Sequence, residues 1–136
     1  MSLKEILYEF ERYASKEWRV FSKEDPLAAL SFNEFDYLKV IQVSGEPIRI
    51  TDLATEMMVT KPSASNMVVR LEKKGLVRRV SDELDARVKR VELTDKAKND
   101  LALEDRVYSL IVEKFEQKVT KEESEQFVTI LTKMLK

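Results

Sequence analysis

Leu3, Ile6, Leu7, Phe10, Tyr13, Ala14, Trp18 and Phe21 recur at intervals of three and four, the stripe of a long amphipathic helix over residues 3–22. SKEDPLAAL follows as a connector, punctuated by Pro26. Ser31 and Glu34 have the S-x-x-E spacing of a capping box and open a second helix through Val43, with Gly45 and Pro47 just past its end. The triplet IRI at 48–50 is long enough only for a small edge strand. Thr51 is placed to cap a short helix through about Met58. Thr60 caps the next helix, with Pro62 in its first turn and a stop at Gly75. Leu76–Val80 and Val88–Leu93 alternate and are rich in β-branched residues, and the acidic turn SDELDA between them predicts a β-hairpin. Thr94 caps another long helix carrying Leu101, Val107, Leu110, Ile111 and Phe115. A second capping box at Thr120 and Glu123 opens a last helix with Phe127, Ile130, Leu131 and Met134.

This order predicts a mainly α protein with a small β-hairpin wing. Residues 31–94 form a winged helix-turn-helix lobe within a single domain over 1–136, and 1–30 and 95–136 supply helices whose apolar stripes call for packing across a homodimer. The 136-residue length and 43% hydrophobic content fit one domain with a real core. The longest charge-free runs, of eight residues, exclude a membrane-spanning helix, and the N-terminus lacks the apolar core of a secretion signal, so a cytoplasmic protein with no membrane partner is expected. The chain has no cysteine and no histidine, and both its glycines stand at helix stops. That leaves no thiolate or imidazole metal site, no phosphate loop and no nucleophile–base pair, so no catalytic residue, metal or cofactor is expected and the protein is read as a non-enzyme.

Net charge is only −1, but its distribution is uneven: Thr60–Ser81 holds Lys61, Arg70, Lys73, Lys74, Arg78 and Arg79 against Glu72 alone. The flanks are balanced, with five basic and six acidic residues in 1–30 and eight and nine in 95–136. A locally basic lobe on a mild surface is the footprint of a nucleic-acid partner. On the helix after Thr60, Ala64, Met67, Val68 and Leu71 share one face, to pack on Leu53, Ala54 and Met57. Lys61, Pro62, Ser63, Ser65, Asn66 and Arg70 are left at the outer face or its edges. Short uncharged side chains at a helix start suit entry into a major groove of double-stranded DNA. Asn66 can pair with an adenine edge, Ser63 and Ser65 can reach bases or phosphates, and Thr51, Lys61 and Arg70 suit phosphates. The hairpin adds Arg78, Arg79, Arg87, Lys89 and Arg90, of which an arginine near the tip suits a narrow minor groove. Asp82, Glu83 and Asp85 at the turn oppose this unless they pair, as Asp85 is spaced to do with Arg87. They keep open the alternative of a winged-helix module that contacts protein without specific DNA binding.

The stretch TDLATEMMVTKPSASNMVVRLEKKGLVRR resembles the helix-turn-helix of the MarR family of bacterial transcription regulators, including its LEKKGLV exit. DARVKRVELT is similar to that family's wing at Asp85, Arg87, Leu93 and Thr94. The resemblance spans essentially the whole chain. It implies a homodimer with interlocked terminal helices on a pseudo-palindromic operator, recognition helices in successive major grooves and wings at the flanking minor grooves. It further implies a repressor released by a small aromatic ligand. By position it assigns Lys61, Ser63, Asn66 and Arg70 to the recognition helix and Arg87 to the wing. The family often has arginine at the positions of Ala86 and Asn66, and a polar residue at that of Val69. Tyr8, Phe10, Tyr13, Trp18, Phe21, Phe35 and Tyr37 gather in the sequence on either side of the connector, and Tyr13, Trp18 and Tyr37 are the candidates for contact with an effector.

Overall fold

A computed structural model describes residues 1–21 and 30–136. The connector SKEDPLAAL, Pro26 included, lies outside the described residues except for its last leucine, Leu30. The elements run α1 (Leu3–Phe21), α2 (Phe32–Ser44), β1 (Ile48–Arg49), α3 (Ile50–Met57), α4 (Lys61–Lys73), β2 (Val77–Ser81), β3 (Lys89–Leu93), α5 (Asp95–Glu116) and α6 (Lys121–Leu135). The chain divides into two compact units, one over 22–103 and the other formed by 1–21 with 104–136. No described helix is long and apolar enough to cross a membrane.

In the 22–103 unit, local chemistry sets most boundaries. Ser31 accepts from the Glu34 amide and the Glu34 carboxylate accepts from the Ser31 amide, so both halves of the capping box are made. Gly45 ends α2 at φ 71, a conformation that Cβ makes unfavourable for other residues. Thr60 caps α4 through the Ser63 amide, and Gly75 follows its last turn at φ 73. Thr94 accepts from the Ala97 amide at the start of α5 and donates its hydroxyl to the Gly75 carbonyl, tying the end of the hairpin to the exit of α4.

Two boundaries correct the sequence reading. Thr51 does not cap α3: the cap position is Arg49, with no side-chain hydrogen bond, and Thr51 lies inside the first turn. The hairpin is not a free two-stranded wing either, because β1 pairs antiparallel with β3 and the three strands are ordered β1-β3-β2. Ile48, predicted as an edge-strand residue, is indeed at an edge, opposite Val91.

The core of this unit forms where α2, α3 and α4 cover one face of the sheet. Leu38, Leu53, Ala64, Val68, Leu71 and Val91 are fully enclosed, with Tyr37, Ile41, Leu76, Leu93 and Leu101 close behind. The predicted inner face of α4 (Ala64, Met67, Val68, Leu71) is the buried one. Truncating any of its large members would cost about 2–5 kcal/mol. The other unit is held mainly by α1 on α5. Tyr13 lies against Phe115 with ring centres 5.2 Å apart, Trp18 against Tyr108 at 6.3 Å, and the Lys114 ammonium meets Glu17 at 2.9 Å. α6 opens on its predicted Thr120–Glu123 capping box but buries no residue.

Candidate nucleic-acid interface

Burying Ala64, Met67, Val68 and Leu71 turns the opposite side of α4 outward, so Lys61, Pro62, Ser63, Asn66 and Arg70 are exposed and Ser65 is half-buried. The Thr60 hydroxyl donates to Ser63 Oγ at 3.0 Å, which occupies one lone pair of that oxygen and leaves its own proton to be given outward. The amide of Asn66 has no intramolecular partner among the described residues. Lys61 and Arg70 likewise meet no carboxylate there. Thr51, at the start of α3, is exposed, and its carbonyl accepts from Thr55 Oγ1.

The wing cations are placed differently. Arg78 faces Glu92 directly across the hairpin and donates to it at 2.7 Å, and that bond raises the guanidinium pKa further above its ordinary value. Arg79, on the helix-facing side of β2, reaches Glu72 of α4 at 3.0 Å. Lys89 donates to Ser81 Oγ at 2.9 Å and remains exposed. Arg87 holds Asp85 through Nε at 3.2 Å, and this bond, with the Arg87 amide on the same carboxylate, draws the Asp85 pKa below the usual range. The Arg87 side chain is nonetheless 92% exposed, so exchanging Asp85 for a phosphate or a groove edge needs no repacking.

The acidic turn is where sequence reasoning stopped short. Arg49 and Arg90 are direct cross-strand neighbours, an unfavourable pairing of like charges. Asp82 resolves it: its nearly buried carboxylate lies 3.4 Å from Arg49 and 3.7 Å from Arg90, and its other oxygen accepts from the Leu84 amide. Arg90 also donates to the Pro47 carbonyl, locking the wing to the start of β1. Asp82 and Asp85 are therefore both engaged by arginines, and Glu83 alone of the three acids has no partner among the described residues. The β1–β3 register that creates this cluster joins residues more than forty positions apart, so no local pattern announces it.

The three effector candidates are not gathered within one unit. Tyr37 is 2% exposed in the core of the 22–103 unit, where burial raises its phenol pKa. Tyr13 and Trp18 are half-buried on the α1 surface that meets α5 in the other unit. Two open depressions on α6 and its approach, lined among others by Glu122, Gln126 and Ile130, include none of the three.

A helix pair crossing through a tight turn, an outward second helix and a strand-anchored hairpin together define a winged helix-turn-helix. The model of the MarR family matches residues 30–89, which carry the helix-turn-helix and most of the wing. The fold is similar to that of FabT of Streptococcus pneumoniae, solved in complex with DNA, at 24% identity and a TM-score of 0.80 over 97% of this chain and 91% of that one. MepR of S. aureus bound to ethidium bromide is similar at 20% identity and a TM-score of 0.75, over 99% and 95% of the two chains. A MepR–DNA complex from S. aureus matches at 23% identity and a TM-score of 0.68, over 97% and 93%. No curated protein matches the sequence.

Proposed function

We propose that this chain is a non-enzymatic, sequence-specific DNA-binding transcription regulator, acting as a homodimer on a pseudo-palindromic operator in the cytoplasm. The observation that carries the reading is the outer face of α4, where Ser63 and Asn66 are exposed and Lys61 and Arg70 meet no carboxylate among the described residues, while Arg79 and Lys74 nearby are both paired. Such a face has bare donors for base edges and phosphates and no acidic group to repel them. The DNA complexes of FabT and MepR support the same use of the fold. Ser63, Ser65 and Asn66 are assigned to base edges, Thr51, Lys61, Arg70 and Arg78 to phosphates, and Arg87 with Lys89 to the groove beside the wing. The engagement of Asp82 and Asp85 by arginines removes the main support for a protein-binding module.

A second copy of the chain is the proposed cover for α6 and for the start of α1. A 15-residue helix with no fully buried residue gains little stability from packing and would be marginal alone. Phe127, Val128, Ile130, Met134 and Leu135 on α6, and Leu3, Ile6, Leu7 and Phe10 on α1, are all exposed. Occupation of an operator by such a dimer blocks a promoter without any contact to polymerase, so repression is the proposed sign. Ethidium on MepR supports release by a small aromatic ligand, with Tyr13 and Trp18 the accessible contacts and Tyr37 acting only through the core. The test is an Arg70→Ala, Arg87→Ala double variant titrated on DNA selected from a random pool. Specific binding should collapse while the fold and dimer persist, and undiminished binding would contradict the assignment.

A further inference from the structure

Three described residues have a left-handed backbone: Gly45, Gly75 and Met58. The chain thus places glycine at two of these positions and methionine at the third, where φ is 57 and Cβ crowds the backbone. Met58 forms the turn between α3 and α4, its amide bonded to the carbonyls of Ala54 and Thr55, and its side chain is 91% exposed. An exposed methionine alone is ordinary. One that is also held in an unfavourable conformation, with no packing to offset it, suggests a side chain kept for something outside the fold. Met58 stands two residues before Thr60, within about 8 Å along the chain of the cap of α4. Its immediate chain neighbours are apolar, Met57 half-buried and Val59 partly exposed.

Resting on the DNA-binding reading above, we infer that Met58 is a further specificity residue, whose thioether packs against the C5-methyl of a thymine at the edge of the half-site. The methyl is the apolar mark that distinguishes thymine in the major groove. A flexible, polarisable side chain at the lip of the groove is suited to it. Asn66 and the serines supply hydrogen-bonding groups to the same helix start and offer nothing to a methyl.

The test combines Met58→Gly and Met58→Ala with uracil substituted for thymine, one position at a time, in the duplex that the wild type selects. Loss of one buried methyl contact is worth about fourfold in affinity. Wild type should lose about that at one thymine per half-site, and neither variant should lose anything further there. Met58→Gly should also melt at or above the wild-type temperature, because glycine relieves the turn. Identical uracil profiles for wild type and both variants would overturn the inference and leave the DNA-binding reading intact. Melting of Met58→Gly clearly below wild type would mark Met58 as a packing residue and overturn it too. A wild type with no preferred duplex would overturn the DNA-binding reading, and this inference with it.

Discussion

Among the described residues Lys61 and Arg70 have no carboxylate to leave before they reach a phosphate, whereas Arg78 must give up Glu92 and Arg87 must give up Asp85. Alanine at Lys61 or Arg70 should therefore lower the slope of log affinity against log salt by about one unit each. The same change at Arg78 should lower it less, and salt titrations by fluorescence anisotropy would show the order. Asn66→Ala should instead cost about 1–3 kcal/mol at one adenine position and leave the salt slope alone. The exposure of these residues was readable in the sequence, because a 3.6-residue period that buries Ala64, Met67, Val68 and Leu71 leaves Lys61, Asn66 and Arg70 no other direction. The pairing of Arg78 was not, since it depends on a hairpin register that puts it opposite Glu92 and not Val91.

Between elements, the link with the most consequence joins Glu34 in the first turn of α2 to Lys74 at the end of α4. The Lys74 bond holds the Glu34 carboxyl below its ordinary value near 4.5, against the opposing effect of burial. A carboxyl with a depressed folded pKa adds stability that is present above its unfolded value and lost as the pH falls through the folded one. Glu34→Gln should thus cost about 1 kcal/mol in urea unfolding at pH 7, a charge-assisted bond discounted for the part-exposed lysine. The gap should narrow as the pH falls below 4.5 and through the folded pKa, and a gap that stays constant far into acid would show that the carboxylate charge is not its source. Both capping boxes were readable because each lies within four residues. The start of α3 was not: β1 pairs Ile48 and Arg49 with β3, so the helix begins where strand pairing ends, whichever side chain stands there, and Thr51 falls inside it.

At the level of the molecule, the helical stripes of α1 and α6 were plain from their spacing, and most of their large apolar residues are uncovered in the single chain. Phe127→Lys, with Ile130→Lys if one charge is insufficient, should convert a dimer to a monomer in sedimentation velocity. It should also weaken operator binding by far more than it alters the unit that holds α4, as judged by the melting of residues 22–103 in exchange experiments. A dimer unchanged by both substitutions would place the second copy elsewhere. Sequence could not supply the operator, since Ser63, Ser65 and Asn66 each accept more than one base edge or a phosphate. The most direct measurement is a titration of the full chain, at moderate salt, against the promoter DNA of its own gene and against random duplex of equal length. Binding to the promoter should be about a thousandfold tighter or more and fall steeply as salt is raised; equal affinity for the two duplexes would contradict sequence-specific regulation.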